Sequence, residues 1–423
     1  MIKKIKLKIC MLKETGFFSI FVSTIFSKII AFFGNVIIAR IFCKNDYGIY
    51  SYVINAITML YIFNDFGSSN AALQFLTEER NNINKQKKII KYALKVGLSG
   101  ALFSGILILL SPLFYPFEII EAKYYTPILC LIPLLTNVNS FISIILRANL
   151  ENKKYAFLEF SKTFLNYLFL IFMSLKFGIM GAILSQYCYT FIALILGIML
   201  LKNIIGSFEK TNSLQKSEKK VFIKYSISTQ LNNTLNSILL NIDLFLVGYI
   251  LANSSDMALY KVATTIPMAL SFLPSCVMIY LLPYFVSHNT DGTWIKNTCK
   301  KLIIYGLIGY GFLTTILIVF APFIISMLYG NQYNDAIITF RILMISFFFN
   351  ATFKIPINNI LFSMRKVKVN LIVTIISVVL NFILNIVFII IFGRNGAAIT
   401  TSLISVVSSV ILVLYIRKIR TKI

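Results

Sequence analysis

The sequence predicts an all-α polytopic membrane protein, with twelve transmembrane helices in two six-helix lobes arranged as a parallel repeat around a central cavity. Three observations lead there: composition, the length of the apolar runs, and the placement of the basic residues. Of 423 residues, 58% are hydrophobic and 13% charged, and the mean hydropathy is +0.83. Soluble chains average about 45–50% apolar and roughly 25% charged residues, so one soluble core cannot bury the excess. The apolar residues fall in runs of about 20, the length that crosses a hydrocarbon core as a helix.

In the first half the predicted spans are 17–41, 49–66, 92–114, 125–146, 155–177 and 179–201. In the second half they are 225–251, 259–286, 302–328, 336–362, 371–392 and 396–416. Residues 1–16 read as a basic cytosolic tail, 17–201 as one lobe, 202–224 as a cytosolic linker, 225–416 as the other lobe and 417–423 as a second basic tail. The first apolar run is too long for a signal-peptide core of about 7–15 residues and contains Lys28.

The net charge of +25 does not mark a nucleic-acid partner, because the charges lie in short clusters between apolar runs rather than along one face. With twelve spans, alternate loops fall on opposite sides. About 30 of the 40 basic residues sit in one set of loops, from Lys3–Lys13 through 80–91, 147–162, 202–224, 296–301 and 365–368 to 417–422, and only about four (Lys44, Lys123, Lys176 and Arg394) in the other. The positive-inside rule then places both termini and the linker in the cytosol.

The halves repeat. Leu165-Asn166-Tyr167 answers to Leu380-Asn381-Phe382, and Phe177-Gly178 with Gly181-Ala182 to Phe392-Gly393 with Gly396-Ala397, both at an offset of 215 residues. Asp46-Tyr47-Gly48-Ile49-Tyr50 answers to Asp256-Met257-Ala258-Leu259-Tyr260 at 210. An even number of spans per half gives both halves one orientation, an architecture of transporters with a substrate path between the halves.

Charged side chains inside spans cost several kcal/mol and usually face a bundle interior or an aqueous cavity. The deepest are Lys28, Asp243 and Lys354; Arg40, Asp65, Lys95, Lys261 and Arg341 lie nearer helix ends, where snorkelling also explains them. Lys28 shares a face with Thr24, Ala31 and Asn35. Ser226, Gln230, Asn233, Ser237 and Asn241 form a polar stripe on the seventh span, with Asn232, Asn236 and Asp243 on a neighbouring face. Asn350, Lys354 and Asn358 align on the tenth, where Pro356 invites a break. Single amides of this kind also serve as interhelical glue; a stripe over several turns points to a wet path.

No HExxH, GxSxG or P-loop motif occurs, His288 is the only histidine, and no loop on the poorly charged side is long enough for a catalytic domain. The six cysteines lack CxxC spacing and mostly fall in apolar runs. No enzyme, metal or cofactor is expected.

The residues Ala39-Arg40 with Asp46-Tyr47-Gly48-Ile49-Tyr50, Asp65-Phe66-Gly67, Asp243, Leu328-Tyr329-Gly330 with Tyr333 and Ala336, and the repeated Phe-Gly motifs resemble the Wzx-type polysaccharide (O-antigen) flippases of the multidrug/oligosaccharidyl-lipid/polysaccharide exporter superfamily. The resemblance implies two lobes around a cavity open to one side at a time. It implies a bacterial plasma-membrane protein that moves undecaprenyl-diphosphate-linked oligosaccharide from the inner to the outer leaflet, beside glycosyltransferases and a glycan polymerase of the same pathway. Lys28 and Lys354 would then meet the diphosphate, and Gln230, Asn233, Asn241 and Asn350 the sugars. Asp243 would pair with a lysine or couple an ion; Arg40, Asp65, Lys261 and Arg341 are further candidates. Two alternatives remain: a cation-coupled multidrug exporter of the same superfamily, and a membrane glycan polymerase or transferase.

Overall fold

A computed structural model describes residues 17–202, 214–288, 291–364 and 366–418, without the side chains of Phe17, Phe18, Asn232, Pro283 and Val367. The lysines of the N-terminal tail, residues 203–213 of the linker, Arg365 and the end of the C-terminal tail lie outside the described residues. Among the described residues the secondary structure is helical: α1 (Phe17–Ile41), α2 (Lys44–Leu60), α3 (Ser68–Glu78), α4 (Ile83–Phe114), α5 (Ile120–Tyr125), α6 (Ile132–Ala148), α7 (Asn152–Leu201) and α8 (Lys216–Leu251). There follow α9 (Ser254–Leu270), α10 (Phe272–Ser287), α11 (Gly292–Val319), α12 (Ala321–Tyr329), α13 (Ala336–Phe349), α14 (Ile355–Ser363), α15 (Val367–Phe392) and α16 (Arg394–Lys418).

The chain is a multi-pass membrane protein with the predicted twelve spans. Nine stretches of helix among the described residues are long and apolar enough to cross a bilayer, and the bent pair Ile120–Leu129 and Ile132–Ala148 makes a tenth. The 50-residue α7 holds two spans, because Gly178 (φ 58°, ψ −142°) breaks it. A Cβ on Gly181 would meet the Met173 carbonyl oxygen at 2.0 Å, and Gln186 donates to Asn166 at 3.4 Å. In a straight helix those amides would stand about 30 Å apart, so the arms 152–177 and 179–201 form an antiparallel hairpin. The last span is α2, whose 17 residues continue into a 3₁₀ turn to Phe63.

The repeat is written into the backbone. Gly393 adopts φ 59°, ψ −144° between α15 and α16, and a Cβ on Gly396 would meet the Phe388 carbonyl oxygen at 1.9 Å. These are the Gly178 and Gly181 geometries shifted by the sequence offset. Helices α2 and α9 are both 17 residues long and carry Asp46 and Asp256 in their first turns.

Several polar intervals read as loops are helix. The basic stretch before the third span is the first two turns of α4, Lys296–Lys301 rides on α11, and residues 216–224 are the start of α8. Helix α3 interrupts what reads as one loop. A helix leaving the bilayer keeps its backbone hydrogen bonds, so the hydropathy boundary need not end it.

Two compact units emerge: residues 1–41 with 56–234, and 42–55 with 235–423. In the first, Leu214 and Phe222 of the linker side join Ala71, Leu76, Ile90, Ala93 and Phe141 in a buried cluster. Phe222 is 2% exposed and packs on Phe75 and Tyr92. In the second, Met278, Phe285, Ile357, Ile360, Val373 and Leu412 make the core. The family-like motifs meet there: Tyr47 and Tyr333 pack edge to face at 6.3 Å, as do Tyr329 and Tyr333 at 6.1 Å. Gly48 lies so close to the Ser254 carbonyl that a Cβ would stand 1.8 Å from its oxygen.

Candidate functional site

The second unit holds a cavity of about 340 Å³ between α8, α9, α13, α14 and α16. Asn241 and Asp243 reach it from α8, Tyr260, Lys261 and Thr264 from α9, and Thr401 from α16. From the tenth span come Asn350, Lys354 and Asn358, and here the predicted break is real: residues Asn350–Lys354 form a π-helical turn ahead of Pro356. Proline lacks an N–H, so the i→i−4 ladder slips there. Residues 350, 354 and 358 share one wall, as their spacing predicts.

Asp243 is 7% exposed and is held by three donors. Asn385 Nδ2 donates to Oδ1 at 2.6 Å, Thr401 Oγ1 to Oδ2 at 2.6 Å and Tyr260 OH to Oδ2 at 3.4 Å. Asn385 also donates to Asn381 Oδ1 at 2.9 Å. No lysine or arginine among the described residues pairs with Asp243. Lys261 and Lys354 reach the same cavity, and their ammonium groups make no hydrogen bond or ion pair to a described residue. The cavity thus offers two free ammonium groups and one caged carboxylate. Asn350 donates to Ser346 at 3.2 Å and Ser405 at 3.1 Å, and Asn241 to the Ser237 carbonyl at 2.9 Å.

Lys28 belongs to the first unit. It lines a separate cavity of about 150 Å³ with Thr24, Ser27, Tyr155, Glu159 and Thr163. Glu159 accepts from Ser143 at 2.7 Å and Lys162 at 2.8 Å. Asn35 of the same stripe donates to Tyr167 OH at 2.8 Å, a helix-packing contact.

Other candidates have local partners. Gln230 donates to the Ile62 carbonyl and Asn233 is exposed. Asp65 accepts from the backbone N–H groups of Gly67 at 2.9 Å and Ser69 at 3.2 Å, opening α3. Arg341 donates to the Ile318 carbonyl at 3.1 Å near the end of α11. Arg40, exposed at the end of α1, reaches neither cavity.

Tyr260, Asn385 and Thr401 are absent from the residues that sequence reasoning selects. One signal was present: Asn381 and Asn385 lie at i, i+4 in an otherwise apolar span. In the first unit Asn166 and Gln186, at the offset of Asn381 and Thr401, are hydrogen-bonded to each other. Phe33 stands where Asp243 does, so the carboxylate belongs to one half alone.

The model of a family described as "Polysaccharide biosynthesis protein" matches residues 14–289. No curated protein matches the chain. Among solved structures, the lipid II flippase MurJ in an inward closed conformation superposes with a TM-score of 0.77 at 16% identity, covering 94% of this chain and 87% of that one. An inward-facing multidrug resistance MATE family transporter of the MOP superfamily gives 0.71 at 14%, covering 92% and 94%. An outward-facing MATE structure gives 0.61 at 14%, covering 95% and 93%. At these identities the likeness is one of fold, and the fold is that of flippases and transporters.

Proposed function

The chain belongs to the polysaccharide biosynthesis protein family, and on that premise we propose that it is a flippase for undecaprenyl-diphosphate-linked oligosaccharide. It moves repeat units from the inner to the outer leaflet of a bacterial plasma membrane, for surface polysaccharide such as O-antigen or capsule. Both termini and residues 202–224 face the cytosol in this reading, and the repeats 17–201 and 225–416 alternate access.

The observation that supports it best is the pair of unpartnered ammonium groups, Lys261 and Lys354, beside amides and hydroxyls in one cavity. A diphosphate takes charge-assisted hydrogen bonds from lysines, and sugar hydroxyls take them from Asn241, Asn350 and Asn358. Lys28 offers a third cation in the first unit. Lys28→Ala and Lys354→Ala are each expected to abolish surface glycan, with lipid-linked repeat units accumulating on the inner leaflet and protein level in the membrane unchanged. Normal surface glycan in both variants would overturn the reading.

The caged carboxylate favours one second reading, a cation-coupled multidrug exporter with Asp243 as the coupling group. Drug resistance conferred by expression and lost in Asp243→Asn would support it.

A further inference from the structure

We propose that a groove of about 210 Å³ on α11 seats the first isoprene units of a polyprenyl chain; the proposal rests on the lipid-linked cargo reading and assigns its tail. The groove lies wholly in the second unit. Its walls include Tyr305, Gly306, Gly309 and Tyr310 of α11, with Thr352 of the π-helical turn and Pro356 of α14.

The groove exists because side chains are missing. A Cβ on Gly309 would meet nothing within 4 Å, and one on Gly306 would touch Thr352 Cγ2 at 3.3 Å. Packed interiors leave few voids larger than a water molecule. The span carrying these glycines is only 11% buried, and Tyr305 is 72% exposed, so hydrocarbon from the bilayer has access.

The π-helical turn argues for an amphiphile. Asn350 and Lys354, one turn apart, reach the polar cavity, while Thr352 between them lines the groove. The five-residue turn therefore stands between the cavity that holds Lys354 and Lys261 and an apolar slot. A soluble drug or free sugar has no use for the slot; a lipid with an anionic head uses both. Thr352 Oγ1 is the second pointer. Its residue is 1% exposed, and the hydroxyl has no hydrogen-bond partner. A chain ending in a phosphate ester brings an acceptor to that end of the groove.

The choice of polyprenyl over a linear acyl chain follows from shape. Gly306 and Gly309 stand about 4.5 Å apart along the helix axis, at 1.5 Å per residue. Gly309 leaves an open notch, and at Gly306 a methyl group would just fit against Thr352 Cγ2 at 3.3 Å and Tyr310 Cδ2 at 3.6 Å. A chain branched once per isoprene unit fills such notches, and a linear chain leaves them empty.

The test uses full-length protein in nanodiscs with two probes, diazirine-bearing undecaprenyl phosphate and inorganic pyrophosphate, which has the head chemistry and no isoprene unit. The long probe is expected to label wild-type protein within residues 302–310. Gly309→Trp should lower its retention at least tenfold and leave pyrophosphate binding unchanged, with Gly309→Ala like wild type. Lys354→Gln should weaken both probes. Labelling of wild type elsewhere, or full retention of the long probe by Gly309→Trp, overturns the groove assignment and leaves the headgroup reading standing. Equal labelling of 302–310 by a diazirine-bearing phospholipid overturns the choice of occupant. If wild type ignores pyrophosphate while 302–310 is still labelled, the groove stands and the lysine reading falls.

Discussion

Asp243 shows what a single residue can and cannot announce. Its position inside an apolar run marks it as costly and therefore as a candidate for function, but its three donors come from three other helices. Asp243→Leu removes the acceptor from Asn385, Thr401 and Tyr260. It should lower stability by about 1–3 kcal/mol, since buried donors lose their partner, read as a fall in Tm of detergent-purified protein. Asp243→Asn keeps the shape and should lose less. Asp65, Arg341 and Gln230 teach the converse. Each looks like a ligand group in the sequence, and each is engaged in closing a turn, meeting a helix-end carbonyl or joining two helices. Residue type fixes what a side chain can bond, and the fold decides whether the bond is already made.

At the scale of the element, the two Phe-Gly hairpins are the most legible features. Gly178 and Gly393 sit at positive φ with ψ near the glycine-only region, with open space where a Cβ would be. The cost of Gly178→Ala or Gly393→Ala is therefore backbone strain alone, about 1–3 kcal/mol each, and thermal unfolding should show nearly equal shifts. Gly181→Ala and Gly396→Ala press a methyl against a carbonyl and should cost more, because the hairpin arms must part. The helix lengths were less legible. Apolar periodicity stops at the membrane edge, whereas α4, α8 and α11 continue through lysine-rich turns whose backbone remains hydrogen-bonded.

For the whole molecule, the alternation of basic clusters predicts the topology. In a variant lacking the six native cysteines, Lys123→Cys should react with a membrane-impermeant maleimide on intact cells. Lys87→Cys and Lys220→Cys should react only after permeabilisation, and the opposite pattern would invert the orientation. The observed units divide the chain inside α2 and α8, at 55/56 and 234/235. The repeat in the sequence gives no sign of this, because helical pattern records which face is apolar and not which neighbour covers it.

The sequence by itself determined the class, the twelve spans, the duplication and the hairpin glycines, because each follows from local properties: run length, charge between runs, and backbone freedom at glycine. Tertiary structure decided which of the polar residues meet. Lys354 and Lys261 share a cavity with Asp243 while Lys28 lies in the other unit, and Asn385, Thr401 and Tyr260 complete a cage that no spacing along one helix foretells. Hydrogen bonds between residues more than a hundred positions apart depend on how helices pack, and that packing is written in surfaces rather than in order along the chain.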